Sequence, residues 1–312
     1  MRELELFKID AIYRDDFRIK GYEFGEGEQS VCILGSMRGN EYQQVYVCSL
    51  LVDKLQKMES EGRITKGKKI LVVPCCNPYS VNVKKRFWTI DNTDINRMFP
   101  GYDKGETTQR IADGIFSKVK DYEIGIQLAS FYMPGNFVSQ VRVMQTGLEN
   151  VEMAKQFGLP FVVRHHPRPF DTATLNYNWQ IWETNAFSVY TSSTGEINKV
   201  EANKGMRAIL TFMAKNGIID YCGDEGYISR VVESTDFIPV RSDTAGFFEA
   251  LASAGDRVEK GQKLAVITDP MTAKVKETLY SDVEGVIAFM HNETLCYQNT
   301  AVIKIIPDSM PK

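Results

Sequence analysis

Histidine is scarce in this chain: His165, His166 and His291 are the only three in 312 residues. Cysteine chemistry is thin as well. None of the six cysteines (Cys32, Cys48, Cys75, Cys76, Cys222, Cys296) forms a Cys-x-x-Cys pair, and most sit in apolar runs such as Val31-Cys32-Ile33-Leu34. They read as reduced, buried thiols. A basic excess is missing too. The 37 Lys and Arg face 40 Asp and Glu, a formal charge of −3, which leaves no surplus to neutralise phosphates and argues against a nucleic-acid partner. No apolar run approaches the roughly 20 residues of a membrane span. The opening Met1-Arg2-Glu3-Leu4-Glu5 alternates charge with Leu and builds no signal-peptide core. The expectation is a cytoplasmic protein with no membrane partner. What is present is a core-forming composition, 43% hydrophobic and 25% charged, which excludes a largely disordered chain.

Short apolar runs alternate with longer helical spacings. Ser30–Leu34 is a strand that enters the turn Gly35–Glu41, and Tyr42–Met58 follows with Val45, Val47, Leu50, Leu51 and Leu55 at helical spacing. Lys69–Pro74 is apolar on both faces, as inside a parallel sheet. Helical stretches at Thr107–Val119, 151–157 and Lys204–Asn216, the last closed by Gly217, alternate with strands Ile124–Leu128 and Phe187–Thr191. This alternation predicts an α/β domain over residues 1–225, a mixed, mostly parallel sheet with helices on both faces. From about residue 226 the texture changes to strand-like runs every eight to ten residues, split by turns such as Gly255-Asp256 and Glu284-Gly285. Residues 226–312 therefore read as an all-β module. It resembles the barrel-sandwich of biotinyl and lipoyl carriers. However, Pro270-Met271-Thr272-Ala273-Lys274-Val275-Lys276 lacks the pattern around their modified lysine, so packing or assembly is its expected role.

Two segments carry chemistry. Gly35-Ser36-Met37-Arg38-Gly39-Asn40-Glu41 is a strand-to-helix turn with two glycines and a carboxylate where the helix opens. The second comprises Asn77-Pro78, Arg86, and Asp91-Asn92-Thr93-Asp94-Ile95-Asn96-Arg97-Met98-Phe99-Pro100-Gly101. Asn96 beside Arg97 places an amide next to a planar cationic fork able to clamp a carboxylate, and Arg86 could polarise a carbonyl. The competing reading is a plain loop salt bridge between Asp94 and Arg97.

Asn-Pro, Arg, then Asp-Ile-Asn-Arg-Met-Phe-Pro-Gly resembles the succinylglutamate desuccinylase/aspartoacylase family of the zinc carboxypeptidase clan. The resemblance covers nearly the whole chain. It implies a carboxypeptidase-like sheet with the site at strand carboxyl ends, and zinc-dependent hydrolysis of the amide in an acylated amino acid. In that chemistry zinc activates a water and a Glu acts as base. It also implies a substrate clamp from Arg86, Asn96 and Arg97, a pocket wall carrying Arg164, His165 and Arg168, and homo-oligomers assembled through the β module.

Carried over residue by residue, the metal site fails. The family's first zinc motif is His-x-Asn-Glu; here Glu41 is kept but Arg38 stands in place of the His. The second zinc His falls on Ala129 and the base Glu on Ser193. Catalytic zinc normally takes three protein ligands, so no cofactor is expected, and Arg38 is read as a substitute cation that neutralises Glu41. Rescue would need His165 or His166, which point opposite ways on an extended segment. It would also need Glu196, displaced three positions from the expected base, or Glu183. Ser193 has no visible His partner for a nucleophilic role, and His291 reads as a loop residue.

Two functions follow. One is a divergent family member that binds a small anionic acyl amino acid or peptide carboxylate without cutting it. The other is a working metal-dependent amidohydrolase or carboxypeptidase-like enzyme, with zinc, Arg86 and Glu196 at the chemistry.

Overall fold

A computed structural model describes residues 1–13 and 15–309. They fall into two compact units. The first comprises Met1–Ser130, Ser139–Thr191 and Gly195–Val231; the second comprises Phe131–Val138, Ser192–Thr194 and the residues from Val232 onward. The boundary thus lies six residues beyond the compositional change at 225, and the second unit takes in two short segments from earlier in the chain.

The nine-stranded sheet, which the first unit builds as far as the start of β10, runs β1 (Arg2–Ile9), β2 (Phe17–Phe24), β4 (Gly67–Val73), β3 (Gly27–Leu34), β5 (Ile124–Ala129), β9 (Asn185–Tyr190), β7 (Gln140–Met144), β8 (Phe161–His165) and β10 (Arg230–Glu233). Strands β4, β3, β5 and β9 are parallel. β2 pairs antiparallel with β1 and β4, and β7 runs antiparallel to β9 and parallel to β8. Ser30–Leu34 and Ile70–Val73 are buried throughout, as strands covered on both faces must be. Helices α1 (Tyr42–Ser60) and α6 (Lys199–Lys215) cover one face, where Ile33, Ile126 and Val189 meet Leu51, Leu55 and Ile209. Helices α3 (Thr107–Val119) and α5 (Leu175–Ile181) cover the other, where Cys32 and Leu71 meet Ile111, Ile115 and Trp179. Two short helices, α2 (Pro78–Asn82) and α4 (Val151–Lys155), lie in the connections.

Two features differ from the sequence reading. Helix α6 starts at Lys199 rather than Lys204 because Asn198 caps it, its side chain accepting from the Val200 and Glu201 amides, each at 3.1 Å. The β1–β2 hairpin was hidden in the charge–Leu alternation. That alternation is the period-two pattern of a half-buried strand, interrupted by a bulge between Glu5 and Phe7.

The second unit has two antiparallel sheets. One runs β11 (Ile238–Arg241), β18 (Ala301–Pro307), β16 (Gly285–His291), β13 (Arg257–Val258), with β6 (Gly135–Phe137) also on β16. The other runs β15 (Val275–Tyr280), β14 (Lys263–Thr268), β12 (Gly246–Ala250), β17 (Leu295–Cys296). Val258, Leu264, Ile267, Ile287 and Ile303 form its core. His291 is a strand residue, 5% exposed, and not the loop residue expected. Among the described residues no helix is long and apolar enough to cross a membrane.

Candidate functional site

Because β4 lies on one side of β3 and β5 on the other, the strand order reverses at β3. Such a reversal opens a crevice beyond the carboxyl ends of β3 and β5. The turn Gly35–Glu41 leaves β3 at that place. Its glycines are required by close approach: a Cβ on Gly35 would sit 2.4 Å from the Pro74 carbonyl oxygen, and one on Gly39 would sit 2.3 Å from that of Lys85. The Gly39 amide donates to the Arg86 carbonyl at 3.0 Å, and Arg86 Nη1 lies 3.5 Å from Asn40 Oδ1.

Glu41 precedes α1 but does not cap it. Its side chain turns back instead. Oε2 accepts from the Arg38 amide at 3.0 Å, and Oε1 accepts from Ser130 Oγ at 2.7 Å and from Arg38 Nη1 at 3.3 Å. Arg38 also donates Nη2 and Nε to Asp94 Oδ2 at 2.8 and 3.1 Å. Glu41 is 1% exposed and Arg38 8%. Burial by itself works against the guanidinium charge, but Asp94 and Glu41 outweigh it and the Arg38 pKa is raised. Arg38, 56 positions away, is therefore the partner of Asp94, and the Asp94–Arg97 salt bridge considered from sequence does not form.

Arg97 reaches Asp171 instead. Its Nη1 donates to Asp171 Oδ1 at 2.9 Å and to the Phe170 carbonyl at 2.6 Å, with the guanidinium 5.1 Å from the Phe170 ring centroid. His165 Nε2 lies 3.1 Å from Asp171 Oδ2, which also accepts from the Arg168 amide. Burial tends to raise the Asp171 pKa, but its bonds to His165, Arg97 and the Arg168 amide outweigh that and hold it well below the usual carboxylate range. Asn96 Oδ1 accepts from Gln127 Nε2 at 3.2 Å and from the Leu175 amide at 3.4 Å.

Strand register places the remaining candidates. Leu34, Gln127, Ser188 and Arg142 form one cross-strand row, and Ala129, Tyr190 and Gln140 form the next row toward the carboxyl ends of β5 and β9. Met144 pairs with His165, four residues from the Gln140–Phe161 pair, so His165 stands about 13 Å along the strands from the Tyr190 level. Arg38, Asn96, Ala129, Ser188, Tyr190 and Met144 each keep 7–8% exposure. Alternation turns Arg164 to the face of Val162, opposite His165, where it pairs with Glu149 at 3.4 Å. The Ala129 carbonyl accepts from Gln44 Nε2 at 3.1 Å. Glu196 is exposed in the first unit, while Ser193 is buried in the second. Two cysteines depart from the buried expectation: Cys222 is exposed and Cys75 partly so, the latter's thiol pushed up to about 11 by burial.

Sequence reasoning missed Ser130, Asp171 and Arg142. Arg142 carried a signal, since Gln140-Val141-Arg142-Val143-Met144 is a period-two strand with polar residues on one face. Among the described residues no group of three or more His, Cys, Asp or Glu side chains could hold a metal ion.

A family model described as succinylglutamate desuccinylase/aspartoacylase catalytic domain matches residues 28–215. N-alpha-acetyl-L-2,4-diaminobutyric acid deacetylase of Halomonas elongata is 25% identical over 286 residues, covering 85% of this chain and 78% of that one. A succinylglutamate desuccinylase structure from Silicibacter sp. TM1040 superposes with a TM-score of 0.82 at 17% identity, over 97% of this chain and 94% of that one. The product-bound ectoine utilization protein EutE (DoeB) of Ruegeria pomeroyi gives 0.80 at 18% identity, with the same coverage of 97% and 94%. At those identities the structures show likeness of fold.

Proposed function

Because the chain belongs to the succinylglutamate desuccinylase/aspartoacylase family, we propose that it is a divergent member. Its pocket holds the carboxylate of an N-acyl amino acid or small peptide, and the family's hydrolysis is lost with its zinc. The observation that carries this reading is the Arg38–Glu41–Asp94 cluster. The three family zinc positions are here a guanidinium, a carboxylate and a methyl group, Arg38, Glu41 and Ala129. Glu41 already accepts three hydrogen bonds, and Arg38 sets a permanent positive charge where a dication would have to sit. That donor set does not fit zinc. A buried carboxylate left by a departed metal needs a positive partner, and Arg38 supplies it.

Ligand contacts are assigned to Arg86, beside Asn40, and to Asn96, next in sequence to Arg97, which holds Asp171 and the Phe170 carbonyl. The Halomonas relative's name makes it a deacetylase of an N-acetylated diamino acid, which puts N-acyl amino acids first among candidate ligands. The reading includes a cytoplasmic setting and homo-oligomerisation through the second unit.

Metal analysis of the purified protein tests the reading, with zinc expected far below one ion per chain; stoichiometric zinc overturns it. N-acetyl amino acids are expected to raise the melting temperature without amine release. Amine release that disappears in Glu196→Gln would establish the hydrolase instead. The double substitution Arg38→His with Ala129→His supplies three donors with Glu41, and is expected to take up zinc where the parent does not.

A further inference from the structure

Polar side chains crowd one stretch of the sheet face in the first unit. Gln127, Ser188 and Arg142 stand side by side on three paired strands. Asn96 bonds to Gln127 from above, and Asn176 of α5 reaches Ser188, its Nδ2 3.0 Å from the hydroxyl. Asn176 is 1% exposed, and its Oδ1 has no hydrogen-bond partner among the described residues. A buried amide oxygen without a donor is strongly disfavoured, so it marks a place where an N–H is to arrive. Next to Ser188 in the row, the Arg142 guanidinium lies 4.7 Å from the Tyr190 ring centroid, a planar fork of the geometry that takes a carboxylate.

We propose that Arg142 and Asn176 form a specificity subsite for the acid end of an N-acyl α-amino acid. The guanidinium of Arg142 binds the α-carboxylate and Asn176 Oδ1 accepts the neighbouring amide N–H. This inference rests on the reading above and orients the ligand: acid end down on the sheet face, acyl carbonyl toward Arg86 and the Glu41 turn. It also moves the anion contact away from Arg97, whose Nη1 is given to Asp171 and the Phe170 carbonyl.

Calorimetric titration of the whole protein with N-acetyl-L-aspartate and with N-acetyl-N-methyl-L-aspartate tests the N–H contact without any variant. The N-methyl compound is expected to bind at least about tenfold more weakly, the discrimination typical of a lost buried hydrogen bond. Asn176→Ala is expected to bring the two ligands to equal affinity. Arg142→Gln is expected to weaken N-acetyl-L-aspartate about ten- to a hundredfold, with Arg142→Lys recovering part of the loss. Equal binding of both ligands to the unaltered protein, or an unchanged affinity in Arg142→Gln, overturns the subsite and leaves the family reading intact. Binding of neither ligand overturns both.

Discussion

Glu41 and Asp171 are both nearly out of water and both joined to an arginine, yet their settings differ. Around Glu41 the partners are sealed: Arg38 is 8% exposed, Ser130 gives its hydroxyl, and a second carboxylate, Asp94, takes the rest of the guanidinium. Around Asp171 the arginine is open, with the Arg97 side chain a third exposed at 33%, and the other neighbour is His165, its Nε2 3.1 Å from Asp171 Oδ2. The first arrangement fills a place with fixed charge. The second ties the Asn96-Arg97 segment to the end of β8 at His165, so it positions rather than replaces. A sealed cluster should answer to deletion of its cation, and an open one to pH and to salt.

The largest effect is expected from Arg38→Ala, which strands two carboxylates. Loss of one partner from a buried pair destabilises by about 3–5 kcal/mol, read as a lower urea midpoint at unchanged slope. Adding Glu41→Gln to that variant should restore part of the loss; a strictly additive double variant would show that the two side chains do not act together. Asp171→Asn is expected to destabilise by about 1–3 kcal/mol at neutral pH, as a buried hydrogen-bonded carboxylate does when its charge is removed. Because the folded-state pKa of Asp171 is depressed, its contribution is present above the ordinary carboxylate pKa of about 4 and declines as pH falls further. The gap between parent and Asp171→Asn should therefore be flat above about pH 5 and close in acid. A gap that widens in acid would reverse the assignment. Ser130→Ala should lose roughly 1 kcal/mol. Arg164→Gln, breaking a partly exposed pair on the opposite face, should change stability by less than about 1 kcal/mol and leave ligand affinity alone.

Fold and site were legible to different depths. The central strands could be read because Ile70–Val73 and Val31–Leu34 are apolar without interruption, and the turn Gly35–Glu41 because glycine at close approach leaves few alternatives. The substitution of Arg38 was visible as soon as the motif was. The mate of Asp94 was not, because local spacing favours Arg97 and only the fold brings Arg38 across from a different strand end. Arg164 and His165 are neighbours in sequence, and only the pleat of β8 reveals that they serve opposite faces. Asn176 looks like any polar helix residue until Ser188 of β9 takes one end of its amide.

Strand β6 belongs to the second unit although it is encoded between β5 and β7 of the first. A proteolytic or recombinant fragment beginning at Val232 would therefore lack it, and the Phe289–His291 stretch of β16 would lose the backbone partners that Gly135–Phe137 provide. Such a bared edge is a template for pairing with another copy. The piece that looks most separable by composition is thus the one to be excised with a stretch of its neighbour's sequence grafted on.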